Sequence, residues 1–100
     1  MRVISKKVLL AFSKNHADAK QALLAWHGEA MKAVWIHPLN VKDRYSSASF
    51  AGKNRVGFNI KGNDYRLIVA VAYRIGVVDI KFVGTHGEYD KIDASSVEPE

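Results

Sequence analysis

The sequence predicts an α+β fold in which two N-terminal helices pack on one face of a three- to four-stranded antiparallel sheet. Apolar residues first recur at three- and four-residue steps, and later at every second position. Short turns join the strand-like runs, and short turns make neighbouring strands antiparallel. We expect one domain, residues 1–100, made of a helical hairpin (1–37), a sheet with its polar end (46–92) and an acidic tail (93–100).

The first predicted helix spans residues 6–14, with Ser5 as its N-cap. A turn near residues 15–17 leads to the second helix, which begins at Asp18, followed three residues later by glutamine in a capping-box pattern. This helix should end before Pro38, because the residue before a proline avoids the helical conformation. Its apolar positions are Ala19, Ala22, Leu23, Trp26, Ala30 and Ala33, and Trp35 is placed on the same helix.

The strands are predicted from three alternating runs, RVGFNIK, YRLIVAVAY and VVDIKFV. A shorter run, SASF (47–50), leaves the strand count at three or four. One face of the sheet should lie under the helices and form the core. Its residues are Val56, Phe58, Ile60, Tyr65, Leu67, Val69, Val71, Tyr73, Val78, Ile80 and Phe82.

The opposite face of the predicted sheet is basic. Its cations surround two small residues, which leaves a shallow floor that fits a phosphate backbone. A plain solvated face rich in lysine and arginine is the simpler alternative. The polar residues are Arg55, Asn59, Lys61, Arg66 and Lys81, around Ala70 and Ala72.

The charge of the chain is uneven. The net charge is +5, yet residues 1–87 carry 14 Lys and Arg against five Asp and Glu, while residues 88–100 carry one Lys against five acidic residues. A basic body with an acidic tail indicates a polyanionic partner, although basic charge can also serve solubility alone.

Composition excludes several classes of protein. The longest apolar run, residues 67–73, is too short to cross a bilayer, and the first residues lack the apolar region of a signal peptide. There are no cysteines, so we expect neither disulfides nor a thiolate metal site. These features favour a cytoplasmic protein.

The stretch FVGTHGEYDKI (82–92) places His86 and Tyr89 just after the last strand. The turn flanked by Lys61 and Arg66 should reach the same end of the sheet. An imidazole, a phenol and two cations suit RNA cleavage through the ribose 2′-hydroxyl, which needs proton transfer and stabilisation of phosphate charge. Histidine titrates near neutrality, so His86 is the leading acid–base candidate. Further candidate RNA-binding residues are Arg55, Asn59, Asn63, Lys81 and Lys91.

No other motif points to a cofactor or a metal. His16, His27 and His37 lack metal-ligand spacing, and the chain has no HExxH, P-loop or GxGxxG pattern. Glu88 and Asp90 fit a solvated turn nearly as well as a site. We therefore expect no cofactor and no bound metal.

Two motifs in order, NIKGNDYRL and GTHGEYDKI, carry a family resemblance. Together with MRVISKKVL, LLAWH, AVW and SASFAGKNRVGF, they make nearly the whole chain resemble HigB-type toxins of bacterial type II toxin–antitoxin modules, within the RelE/ParE superfamily. The chain differs from some relatives in having THGEYDK where they have a more arginine-rich end.

The resemblance implies a microbial ribonuclease fold and metal-independent cleavage of mRNA, in many relatives on the ribosome. It implies a HigA-type antitoxin with a helix-turn-helix domain, and operator DNA bound only through the antitoxin complex. By motif, Lys61 and Arg66 match positions that bind the scissile phosphate. His86 matches an acid–base or phosphate-binding position, Tyr89 a tyrosine used for base stacking or proton transfer, and Asp90 an acidic position of variable role.

Two other functions stay open at this point. The same fold in the gyrase-poisoning branch of the superfamily inhibits a protein target without catalysis. A small RNA-binding module without chemistry would also explain the basic face, although few aromatic residues are available for stacking bases.

Overall fold

A mixed five-stranded sheet, with strand order β1-β5-β4-β3-β2, organises the molecule in a computed structural model that describes residues 1–99. The strands are β1 (Arg2–Ile4), β2 (Ser49–Ala51), β3 (Arg55–Ile60), β4 (Tyr65–Ala72) and β5 (Val77–Thr85). The helices are α1 (Lys6–Asn15), α2 (Lys20–Lys32), α3 (Pro38–Arg44) and α4 (His86–Tyr89). Glu100, the last residue of the predicted acidic tail, lies outside the described residues. Within 1–99, no helix has the length and apolar character needed to cross a membrane.

The α+β prediction is confirmed, and β2 to β5 form the predicted antiparallel series. Strand β1 was not predicted; it pairs in parallel with β5, with Arg2 opposite Val77. A parallel pair needs a long crossover connection, and here α1 to α3 and β2 to β4 lie between the two partners in sequence. Three residues were too few to show a strand periodicity.

The core lies between the sheet and the helices. Phe58 of β3 meets Trp26 of α2 with ring centroids 5.4 Å apart, and it stacks on Trp35 at 6.3 Å. Each fully buried side chain of this size contributes roughly 1.5–3 kcal/mol to stability. The core also includes Leu9, Leu23, Val41, Val56, Ile60, Tyr65, Leu67, Val69, Val71, Val78, Ile80 and Val83.

The second helix is shorter than predicted. It ends at Lys32, so Trp35 lies in the following segment, and Pro38 begins α3 instead of ending α2. Proline fits the first helical position because its missing N–H would have no partner there. The Asn40 side chain accepts from the backbone N–H of His37 at 3.1 Å, which completes this helix start.

Neither predicted cap forms. Ser5 adopts a left-handed conformation (φ 70°), and its hydroxyl donates to Asp79 Oδ1 at 2.8 Å. Asp18 lies in a 3₁₀ turn (Ala17–Ala19) that precedes α2, and its carboxylate binds side chains of the sheet. Short polar residues bond locally unless a tertiary partner competes, and in both places the tertiary partner prevails.

A bulge in β5 overturns the core assignment of Phe82. Ile68 of β4 pairs with Phe82, but the next residue, Val69, pairs with Ile80, so one residue of β5 is extra. An inserted residue reverses the faces of the side chains that follow it. Phe82 therefore lies on the face away from the helices, and Val83 takes the core position.

Candidate active site

The β3–β4 turn and the end of β5 lie at the same end of the sheet, as predicted. Ile60 pairs with Tyr65, and Tyr65 pairs with Thr85, so the three segments meet there. The two cations that flank the turn nevertheless separate. Arg66 lies on the face away from the helices, whereas Lys61 reaches toward them.

Arg66 is a buried cation with neutral partners. Only 7% of the residue is exposed, and its guanidinium donates to Asn59 Oδ1 and to Ser49 Oγ, each at 2.6 Å. No carboxylate among residues 1–99 pairs with it, and its buried Nε has no hydrogen-bond partner there. A charge removed from water without a counter-charge costs free energy, which an anion bound beside it would offset.

Gly57 makes room for this arrangement. A Cβ at this position would lie 2.8 Å from both Arg66 Nη2 and Ser49 Oγ. Real Cβ atoms do not approach other atoms so closely. The missing side chain of Gly57 therefore lets the guanidinium lie across β3 and reach Ser49 on β2.

The short helix α4 carries the other two central groups. Thr85 and Glu88 form a reciprocal capping box: Glu88 N–H donates to Thr85 Oγ1 at 3.2 Å, and Thr85 N–H donates to Glu88 Oε1 at 2.8 Å. His86 and Tyr89, three residues apart, share a face of this turn, with ring centroids 6.4 Å apart and nearly perpendicular. Glu88 thus has a structural role.

Tyr89 joins α4 to Arg66. The guanidinium carbon lies 4.9 Å from the centre of the Tyr89 ring, within the range of a cation–π interaction. His86 is exposed, and Tyr89 is partly buried between it and the arginine. The structure therefore brings together three of the four predicted catalytic residues: Arg66, Tyr89 and His86.

Lys61, the fourth, is not on the open face of the sheet as predicted. The alternation of side chains between the two faces of β3 ends at Ile60. Lys61 lies in the following turn, where its backbone φ is 52°. Its Nζ lies 2.9 Å from Asp18 Oδ2, and the Tyr65 hydroxyl donates to Asp18 Oδ1 at 2.7 Å.

In this contact the Asp18 carboxylate compensates the positive charge of the Lys61 ammonium. Hydrogen bonds from Tyr65 and then Lys61 lower the pKa of Asp18. The same carboxylate raises the pKa of Lys61, and it raises the pKa of Tyr65 to about 12.

The C-terminal segment covers the other predicted cations. Arg55 is only 6% exposed, and it donates to the Val97 carbonyl at 2.6 Å and to Glu98 Oε2 at 2.8 Å. Lys81 donates to Glu98 Oε1 at 2.7 Å and lies 3.0 Å from Asp79 Oδ2. The prediction of an open cationic floor is wrong at this part of the sheet, because the tail folds back over it.

A cleft of about 110 Å³ lies on this face of the sheet. It is bordered by Tyr89, Arg55 and Ala94, so it connects Tyr89, the aromatic partner of Arg66, with the covered Arg55. Asn63 and Lys91 are exposed, one in the β3–β4 turn and the other after α4. Their proposed contact with RNA stays a prediction.

Sequence reasoning missed three residues that shape this region. Ser49 and Gly57 pair directly across β2 and β3, and together they hold the guanidinium of Arg66. Aligning the SASF run against RVGFNIK would have placed them side by side. Glu98 was treated only as part of an acidic tail, and nothing in its local pattern shows that it folds onto two cations.

A sequence model of one protein family, described as HigB_toxin, RelE-like toxic component of a toxin-antitoxin system, matches residues 19–92. This match includes β2 to β5, α4 and all the residues around Arg66. Comparison with curated proteins gives no significant match.

Proposed function

This chain belongs to the family of RelE-like HigB toxins, the toxic components of toxin–antitoxin systems, and we propose that it acts as a metal-independent endoribonuclease. Its substrate would be mRNA held on the ribosome, and cleavage would stop translation in the bacterial cytoplasm. The chain offers few groups of its own for binding bases, which favours a partner such as the ribosome to position the message.

The observation that carries this proposal is the uncompensated charge of Arg66 beside Tyr89 and His86. The buried guanidinium is held by two neutral oxygens and a ring, so its position is fixed while its charge is left for an anion. Fixed donors aimed at developing charge are typically the largest single contribution to catalysis. A scissile phosphate beside Arg66 would also be close to α4.

The proposed reaction is attack of the ribose 2′-oxygen on the adjacent phosphorus. One of His86 and Tyr89 takes the 2′-hydroxyl proton, the new P–O2′ bond forms, and the P–O5′ bond breaks. The other group gives a proton to the departing 5′-oxygen. The products are a 2′,3′-cyclic phosphate and a 5′-hydroxyl, and each proton transfer contributes about 10²- to 10⁴-fold in rate.

Lys61 has a secondary role in this mechanism. Its ammonium is paired with Asp18, so direct contact with the phosphate requires that pair to open. Both partners are largely exposed, with 44% and 53% of their side chains accessible, and exposed pairs contribute little to stability. Opening the pair when RNA binds would therefore cost little.

The partner of a toxin is its antitoxin. We propose a HigA-type protein with a helix-turn-helix domain, which would neutralise this chain and bring it to operator DNA only as part of the complex. An open reading frame for such a protein next to this gene is the simplest observation that supports this assignment.

The test is a short pulse of expression followed by primer extension on cellular mRNA, with wild type, His86→Ala and the control His37→Asn. His37 is likewise exposed, and asparagine suits its helix-capping position. We expect new RNA 5′ ends and growth arrest for wild type and control only. Growth arrest by His86→Ala with no new ends from any variant would contradict cleavage, and an accompanying DNA-damage response would favour inhibition of gyrase. Purified protein with naked mRNA and with translating ribosomes tests the ribosome requirement.

A further inference from the structure

One carboxylate, that of Glu98, bridges two cations on the face of the sheet away from the helices. Oε2 accepts from Arg55 on β3, and Oε1 accepts from Lys81 on β5. The two donors come from strands that both flank β4, where Ala70 pairs with Arg55 and with Asp79. A small residue, Ala70, therefore lies between the two strands that carry the donors.

This arrangement has the properties of an anion site. Arg55 is buried against the sheet, and two backbone carbonyls, those of Ala94 and Val97, hold one of its nitrogens at 3.5 and 2.6 Å. The second nitrogen and the Lys81 ammonium point at the same carboxylate. Hydrogen bonding by Lys81, supported by Arg55, lowers the pKa of Glu98, because both cations stabilise the charged carboxylate. Charged oxygens bridged by arginine and lysine are the pattern in which phosphates also bind.

The site lies beside the proposed catalytic centre. The cleft that Arg55 borders is also lined by Tyr89. The guanidinium of Arg66 lies over Gly57, which is two residues from Arg55 along β3, or about 7 Å at the usual rise of a strand. An RNA strand bound at Arg66 would therefore place a neighbouring phosphate near Arg55.

We propose that Arg55 and Lys81 form a second phosphate site for the RNA backbone, and that Glu98 occupies this site in the free chain. The proposal rests on the proposed action on RNA. The tail acts as an intramolecular competitor at an effective concentration set by its attachment to the sheet. RNA bound at both sites displaces the Glu98 side chain, while RNA that reaches only Arg66 does not.

Glu98 competes with the RNA phosphate for this site only with modest strength. The Glu98 side chain is 57% exposed, whereas that of Arg55 is only 7% exposed. Water therefore screens the carboxylate, and its release costs less than the burial of the arginine alone would indicate. Several phosphates bound together can compete against one such carboxylate.

The test measures binding of a short 2′-O-methyl oligoribonucleotide, which lacks the attacking hydroxyl and cannot be cleaved. Glu98→Gln is compared with Asp43→Asn, which makes the same charge change at an exposed position on α3. We expect Glu98→Gln to bind roughly three- to tenfold more tightly than Asp43→Asn, since one competing charge is removed. The slope of log affinity against log salt should steepen by about 0.7 for one added phosphate contact.

A double variant, Glu98→Gln with Lys81→Gln, keeps the result interpretable. The matched control for the double variant is Asp43→Asn with Lys81→Gln, which makes the same net charge change. If the gain comes from the freed cations, removing Lys81 reduces it, and only the share that belongs to Arg55 remains. Equal binding by Glu98→Gln and Asp43→Asn would overturn the proposal. So would a gain that survives undiminished in the double variant, because it would come from loosening of the tail.

Cleavage assays separate this proposal from the proposed function. If wild type cleaves mRNA while Glu98→Gln binds no better than Asp43→Asn, the second site fails and the ribonuclease stands. The opposite result is that no variant cleaves RNA, while Glu98→Gln binds the oligoribonucleotide more tightly and the double variant loses part of that gain as predicted. In that case the second phosphate site is supported as a nucleic-acid contact, and the proposed ribonuclease activity is contradicted.

Discussion

Lys61 and Arg66 lie close in sequence at the β3–β4 turn, yet they lie in opposite electrostatic surroundings. Lys61 meets Asp18 and shares that carboxylate with Tyr65, so its charge is matched. Arg66 meets Asn59, Ser49 and the ring of Tyr89, none of which carries a charge. A cation matched by a carboxylate holds two elements together, whereas a buried cation with neutral partners is prepared for an anion.

The same contrast separates the two faces of the sheet. On the helix side, the polar groups at the turn bind one another at the edge of the hydrophobic core. On the other face, Arg66 remains uncompensated while Arg55 and Lys81 are matched by a carboxylate from the tail. The predictions below test whether the uncompensated cation is the functional one.

The largest effect is expected from Arg66→Gln. Cleavage of mRNA on translating ribosomes should fall by about 10²- to 10³-fold, because one preorganised charged donor is lost. Stability should change by no more than about 1 kcal/mol, since the removed charge has no buried counter-charge. Urea unfolding and single-turnover cleavage measure the two quantities. A fully active Arg66→Gln variant would show that cleavage does not need the uncompensated charge of Arg66.

Gly57→Ala should produce the next largest effect. The added Cβ would collide with the end of the Arg66 side chain, which can move, so the fold should persist while the guanidinium leaves its place. We expect cleavage to fall roughly 10- to 100-fold, as for other small misplacements of a catalytic group. Circular dichroism confirms the fold, and Gly52→Ala, at a position with open space around it, is the control. Unchanged cleavage would show that the position of Arg66 is not critical.

Lys61→Gln should reduce cleavage by only about tenfold, because the lysine charge is already matched and acts on the phosphate only after its pair opens. Measured beside Arg66→Gln in the same assay, this variant sharpens the contrast between the two cations. A loss as large as that of Arg66→Gln would mean that the Asp18 contact breaks in the active complex.

The smallest effect is a pH dependence at Asp18. Its pKa is lowered in the folded chain, chiefly by Tyr65 and then by Lys61. The stabilising contribution is therefore present above the unfolded pKa of about 3.9 and is lost as pH falls through the lower folded value. Compared with Asp18→Asn, wild type should have the higher urea midpoint at neutral pH, and the difference should shrink below about pH 4. A difference that is constant with pH would exclude the charge of Asp18 as its cause.

Much of the fold could be predicted from the sequence, because the two sets of side chains that face opposite sides of the sheet alternate clearly in RVGFNIK and YRLIVAVAY. The same rule failed where one inserted residue in β5 reversed Phe82, and where Lys61 left the strand. Bulges and strand ends depend on pairing partners, which a local pattern does not contain. The parallel strand β1 was missed because its three residues are too few to show a strand periodicity.

The candidate site was predicted in its residue types more than in its arrangement. His86, Tyr89 and Arg66 were singled out from two motifs, and the structure brings them together. Their separation from Lys61 could not be seen, because it depends on Asp18, more than 40 residues earlier in the chain. The cover over Arg55 likewise depends on Glu98, at the far end of the chain.

We propose that Arg66, and not Lys61, holds the phosphate. Nitrogen-detected NMR of the arginine Nε–H and lysine ammonium groups, on titration with the uncleavable oligoribonucleotide, distinguishes the two cations. We expect the Arg66 Nε–H resonance to shift and to exchange more slowly with solvent at saturation, while Lys61 keeps the resonance of its pair with Asp18. A shift of Lys61 with no change at Arg66 would show that the lysine, and not the arginine, meets the phosphate.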